Sequence, residues 1–235
     1  MTAFSKVKLY HYPATRSARV KWILNETIGE TYEVERIDLY AGAQYAPDYV
    51  AKNPNHNVPL LEIEFDDGRA MQMRESAAMV AFFADAFPEK RLAPAPGLSF
   101  ERADYLQMLH FGASPMDMML WQIRIHEHVL QKEDRDPRIP ERYRGKFRAE
   151  VEPQLIERLS KTPFICGEAF SAADCLIAYN VGWANAYGLC TDKIFRKYLT
   201  QMARRPAYQA AFADVGEFTP EPPPLPAGVK SPFNG

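Results

Sequence analysis

The sequence predicts an α+β domain built on a small mixed sheet, followed by an all-helical bundle. Three observations predict this. Strand-like and helix-like segments alternate over residues 1–87. The stretch FPEKRLAPAPGL then breaks the pattern with three prolines and a glycine. Beyond it, every periodic segment to about residue 216 has helical spacing. The expected division is therefore 1–87, a linker at 88–98, a helical domain at 99–216 and a proline-rich tail at 217–235. A chain of 235 residues is long enough to give both units a core.

The elements follow in order. Val7 and Leu9 share one face of a first strand that ends near Pro13. Val20, Ile23, Leu24 and Ile28 form the apolar face of the next helix, closed by Gly29. Residues 32–39 read as a second strand and residues 45–51 as a short irregular helix before Asn53-Pro54. Leu61, Ile63 and Phe65 alternate with Glu62 and Glu64, Asp67-Gly68 makes a tight turn, and residues 69–73 return antiparallel. A helix at about 75–87 completes the order βαβαββα, the thioredoxin-like arrangement of a mixed sheet flanked by helices.

In the second part, residues 100–130 form one long helical segment in which Gly112 and Pro115 predict a kink. Residues 142–161 carry Phe147, Val151, Leu155 and Leu159 in a row, with Pro153 expected to bend the helix. Residues 172–187 are apolar nearly all round and predict a central buried helix. Ser171 and Asp174 have capping-box spacing at its start, with Phe170 and Cys175 placed for a staple. Helices at 191–205 and 206–215 finish the bundle. The tail, with PEPPPLPAG, should be extended or disordered.

Composition excludes several function classes. The 28 basic residues against 30 acidic ones make no field of one sign, and no basic run carries interleaved aromatics, so nucleic acid is not an expected partner. No apolar run approaches the roughly 18 residues a membrane span needs. Nor does the N-terminus have a signal-peptide core. The three cysteines, Cys166, Cys175 and Cys190, lie in apolar segments and read as reduced thiols of a cytoplasmic protein. His126 and His128 are two apart on a helix and face different sides, so no metal site is expected.

The chemistry concentrates where the first strand enters the first helix, YHYPATRSARVKWILNE. Thr15, Arg16 and Ser17 fall at a helix N-terminus, where backbone N–H groups are unpaired and the dipole is positive. Such a place favours an anion, and a hydroxyl can donate to it. A simple helix cap is the plain alternative for Thr15, and both roles can coexist.

Three motifs together resemble the glutathione transferase family: TRSARVKWIL from Thr15, NPNHNVPLLE with Val58-Pro59, and Glu75-Ser76 opening the third helix. SAAD at residues 171–174 adds a fourth. The resemblance covers about residues 6–216 and is nearest the bacterial and fungal branches with a hydroxyl at the active site. It implies a glutathione-binding thioredoxin-like domain, a helical domain contributing a hydrophobic substrate site, and a homodimer.

The resemblance also distributes roles. Thr15 would donate to the glutathione sulfur, with Ser17 next in line and Arg16 either adding charge or simply solvated. Pro59 would be cis, presenting the Val58 backbone to the cysteinyl part like an added strand. Ser76 would hold the γ-glutamyl carboxylate and Glu75 the amino group, which Asp104 could also reach across a dimer. Many relatives read NPxGKVP, the lysine meeting the glycyl carboxylate. Here His56 and Asn57 stand in those two places; Asn57 can hydrogen-bond a carboxylate but adds no charge, so His56, Gln44 or Lys52 would have to compensate. Tyr12, Met108, Phe111, Met118 and Trp121 would line the site for a small hydrophobic electrophile, although a methionine and aromatic stripe at helical spacing is more often core.

The energetics are sufficient without a general base. Lowering a thiol pKa from near 8.5 by two units needs about 2.7 kcal/mol. A hydrogen bond to a charged group contributes about 1.5–3 kcal/mol, and a helix N-terminus about 0.3–1. No cysteine lies in this region, which argues against mixed-disulfide chemistry. Glutathione-dependent isomerases, dehalogenases, ether-cleaving enzymes and peroxidases use the same activated sulfur. A non-catalytic binding or scaffolding module is the reading from another class.

Overall fold

The computed structural model describes residues 4–220. Strand β1, Phe4–His11, leads into helix α1, Ser17–Thr27, and strand β2, Glu33–Arg36. A 3-10 turn and helix α2, Pro47–Lys52, precede strands β3, Leu60–Phe65, and β4, Ala70–Met73, and helix α3, Ser76–Ala86. The sheet order is β2-β1-β3-β4, with β1 parallel to β2 and antiparallel to β3, and β3 antiparallel to β4. This is the thioredoxin-like arrangement.

The alternation read from the sequence sets the register. Val7 pairs with Ile63 and Leu9 with Leu61, so these four buried side chains face α1 and α3 from one side of the sheet. Strand β2 is shorter than the expected 32–39. All four of its residues are exposed, and nothing on its outer edge extends the ladder. Gly29 takes φ +63° just past α1, the left-handed position that closes helices.

The helical part comprises α4, Phe100–Phe111; α5, Asp117–Arg124; α6, Arg138–Lys146; α7, Glu152–Lys161; α8, Ala172–Ala186; α9, Lys193–Ala203; and α10, Pro206–Ala211. The expected interruption at Gly112 and Pro115 is a π-turn, Gly112–Met116, which absorbs the N–H that proline lacks. Another π-turn, Phe147–Val151, stands just before Pro153 and does the same; a third lies between them at Ile125–Val129. Helix α6 starts four residues before the expected position 142.

Helix α8 is the central helix, with eleven of its residues buried. Asp174 Oδ2 accepts from the Ser171 N–H at 2.9 Å and hydroxyl at 3.2 Å; Oδ1 accepts from Ile165 N–H at 2.9 Å and Tyr198 Oη at 2.7 Å. The apolar core runs without a break from the sheet into the bundle. Trp22 of α1 joins the two, its ring 4.9 Å from Tyr208 and 5.6 Å from Phe170. Among the described residues no helix is long and apolar enough to cross a membrane. The proline-rich tail expected at 217–235 lies outside the described residues from position 221 on.

Candidate active site

The turn between β1 and α1 is tight because Ala14 adopts φ +57°, a conformation that costs a non-glycine residue about 1–2 kcal/mol. Its carbonyl accepts from the Tyr179 hydroxyl of α8 at 3.1 Å, which ties the strained turn to the bundle. The turn brings two hydroxyls together. Thr15 Oγ1 donates to the Tyr12 carbonyl at 2.7 Å and lies 2.8 Å from Ser17 Oγ. Arg16 takes the cap position of α1, and no side chain caps that helix.

Thr15 opens onto a cavity of about 1000 Å³ at the junction of sheet and bundle. The walls carry eight of the residues named from the sequence: Tyr12, Thr15, Arg16, Gln44, His56, Asn57, Val58 and Trp121. Helix α8 supplies the back wall through Ala178, Tyr179, Gly182 and Trp183. The Val58-Pro59 bond is cis, as the resemblance implied. Gln44 is buried, and its Oε1 has no hydrogen-bond partner. Asn57 keeps its side-chain N–H groups available, because its Oδ1 and carbonyl accept from Asn53 Nδ2 at 3.1 and 2.8 Å. Lys52 is committed elsewhere, to Tyr10 Oη at 2.6 Å and Glu62 at 3.4 Å.

The other named residues lie off the cavity wall. Ser17 is fully buried behind Thr15. Glu75 is exposed at the start of α3, and Ser76 is buried beside it. Asp104 is held by Arg158 through two bonds of 2.9 and 2.6 Å, a pair with which any reach across a dimer would compete. Three residues considered for the hydrophobic wall are not on it. Met108 is core, Phe111 packs half-buried against it, and Met118 is 41% exposed to solvent. The π-turn inserts a residue after Phe111 and rotates the face that follows by about 100°, so Met118 does not continue the stripe of Met108 and Phe111. Trp121 is on the cavity wall, and Arg124 and His128 join it there.

Arg16 is not a solvated side chain either. It makes three bonds of 2.6–3.0 Å to Asp117 and stacks between Trp121 and Trp183, 5.0 and 5.3 Å from their centroids. Asp117 also accepts from Arg19 Nη1 at 2.9 Å. Arg19 in turn donates to Ser76 Oγ from Nε at 3.0 Å and Nη2 at 2.7 Å. With its lone pairs taken, the Ser76 hydroxyl has its proton left to give. Burial pushes the Arg19 guanidinium down, and Asp117 works against that.

Asp117 and Arg19 were not singled out in the sequence, although Asp117 is the one acid in PMDMMLW, and a lone charge in an apolar run asks for a partner. His11, also unremarked, is buried between Tyr10 and Tyr12 on β1. None of the three cysteines lines the cavity, and burial pushes the Cys166 thiol up to about 12. The site offers hydroxyls and a helix N-terminus to an anion.

The comparisons agree in kind. The family model described as "Glutathione S-transferase, N-terminal domain" matches residues 5–84. The glutathione S-transferase GstA of Escherichia coli O157:H7 is 27% identical over 89% of this chain and 99% of its own length. The disulfide-bond oxidoreductase YfcG of Escherichia coli strain K12 is 27% identical over 77% and 80%. A sphingomonad glutathione S-transferase, solved in complex with glutathione, superposes with a TM-score of 0.69 at 26% identity, covering 89% of this chain and 98% of that one.

Proposed function

This chain belongs to the glutathione S-transferase family, and on that premise we propose that it binds glutathione and turns its thiolate on a small hydrophobic electrophile. One observation carries the reading. Thr15 at the α1 N-terminus, the cis Val58-Pro59 pair and the unpartnered Gln44 Oε1 converge on a single cavity. Thr15 holds the sulfur as thiolate, the Val58 backbone receives the cysteinyl part, and Ser76 donates to the γ-glutamyl carboxylate, with Glu75 for the amino group. Asn57 and His56 take the glycyl carboxylate, and Gln44 Oε1 accepts an amide N–H. The electrophile lies among Tyr12, Trp121 and Trp183.

The relative named as a disulfide-bond oxidoreductase raises a cysteine mechanism, but here no cysteine reaches the cavity. A cytoplasmic homodimer fits the reading. The exposed Phe82, Leu98 and Phe100 near α3 and the start of α4 supply apolar surface for a partner subunit. The test is conjugation of glutathione to 1-chloro-2,4-dinitrobenzene, with calorimetry of glutathione alone. Thr15→Val should lower kcat/KM by about ten- to a hundredfold, the scale of one charge-assisted hydrogen bond, with little change in Tm. No heat at millimolar glutathione would favour a non-catalytic module. Binding without conjugation would point to an isomerase, dehalogenase, ether-cleaving enzyme or peroxidase acting through the same sulfur.

A further inference from the structure

Behind Thr15 runs a line of polar groups that the proposed function does not use. Thr15 Oγ1 is 2.8 Å from Ser17 Oγ, and Ser17 Oγ is 2.7 Å from His11 Nδ1. His11 Nε2 is 3.0 Å from Asp214 Oδ2, which also accepts from Lys21 Nζ at 2.7 Å. Of these, only Thr15 lines the cavity. Ser17 is 0% and His11 2% exposed, so the line crosses an apolar interior where each polar group must be satisfied. Its far end, Asp214, comes from 203 residues along the chain.

Resting on the glutathione reading, we infer that Ser17, His11 and Asp214 are positioning residues that form a proton relay, in which His11 receives the proton the thiol gives up at Thr15. The bonding partners favour this order. A carboxylate only accepts, so Asp214 keeps a proton on Nε2 and leaves Nδ1 of the neutral ring as an acceptor. Ser17 then donates to Nδ1 at 2.7 Å, a nearer acceptor than the Tyr12 carbonyl at 3.2 Å, while accepting from the Tyr12 N–H at 3.2 Å, and the Thr15 proton is turned inward to Tyr12. In that state Thr15 presents lone pairs, not a proton, to a thiol.

The transfer balances. The S–H bond breaks and its proton goes to Thr15 Oγ1; the Thr15 hydroxyl swings its own proton from the Tyr12 carbonyl to Ser17 Oγ, 2.8 Å away, and gives it up there, and the Ser17 proton goes to His11 Nδ1. Each hydroxyl gains one proton and loses one. The products are a thiolate and an imidazolium whose charge faces Asp214. Every donor now points the other way: Nδ1–H to Ser17, Ser17 to Thr15, and Thr15 to the sulfur. One rearrangement therefore stores the proton and creates the donor that holds the thiolate. The charged groups around His11 are Asp214, Lys21 on the same carboxylate, and Arg36, its neighbour in register across β1–β2, itself paired with Glu217.

The test measures where the proton goes. Wild-type protein is mixed with glutathione in weakly buffered solution at neutral pH with an indicator dye, while the ultraviolet absorbance of bound thiolate is followed. The expected result is thiolate formation with well under one proton released per site. Asp214→Asn, at a partly exposed position, should cut the bound thiolate by about tenfold and leave glutathione binding nearly unchanged. The relay is overturned if wild type releases about one proton for each thiolate formed, or if Asp214→Asn matches wild type. In both cases the proposed function stands. No binding of glutathione, or binding as the thiol only, would overturn that reading and the relay with it.

Discussion

Asp117 carries the two arginines of α1 on one carboxylate, and its loss separates the site's charges more than any single hydroxyl would. Arg19 is 2% exposed and its other partner is the neutral Ser76. Asp117→Ala would leave that guanidinium without a counter-charge, a change that costs about 3–5 kcal/mol when one partner of a buried pair is removed. Urea unfolding should show this drop in stability, and a loss under about 1 kcal/mol would mean that water replaces the carboxylate. Asp117 also shows why the site was only half legible. Thr15 could be singled out because a helix start is a local signal, whereas Val58, Pro59 and Asn57 entered only through the family resemblance. Arg16–Asp117 and His11–Asp214 join positions 101 and 203 residues apart, and no periodicity records such a meeting.

Among the elements, α8 was the easiest to read, and its capping box forms as the Ser171–Asp174 spacing predicts. Ser171→Ala should cost about 0.5–2 kcal/mol. Bonding places the weight on Asp174, which satisfies two backbone N–H groups and the Tyr198 hydroxyl besides Ser171. Asp174→Ala orphans three buried donors at about 1–3 kcal/mol each, so denaturant unfolding should show at least about 3 kcal/mol lost, and more than for Ser171→Ala. The helices around Pro115 and Pro153 were legible as positions of disturbance. Their form, a π-turn with one extra residue, was not. Strand β2 came out short because its alternating residues have no core to face.

At the scale of the molecule, the order βαβαββα and the helical second part were present in hydrophobic spacing alone, whereas the continuity of the core across Trp22 was not. Asp214 adds an electrostatic tie between the end of the bundle and β1. Burial pushes its carboxyl up, but hydrogen bonds from His11 and Lys21 prevail and hold it well below the usual carboxylate range. A carboxyl depressed in the folded state contributes stability above its unfolded pKa of about 4, and the contribution fades as pH falls towards the folded value. Wild type should therefore lose stability more steeply than Asp214→Asn below about pH 5, read from denaturant midpoints across an acid series. Parallel slopes would remove Asp214 from the acid response.

Just after Asp214 the chain crosses the cavity mouth. Glu217 meets Arg36, the Thr219 carbonyl meets Tyr40, and Phe218 lies under Arg124. Helices α5, α8 and α10 supply part of the wall and the connecting segments at 39–45, 55–58 and 128–135 another part, while residues 215–220 are a short run of backbone pinned by side chains. That run helps to set the width of molecule admitted, so evolution or an engineer could retune it by exchanging the side chains of Val215, Phe218 and Pro220.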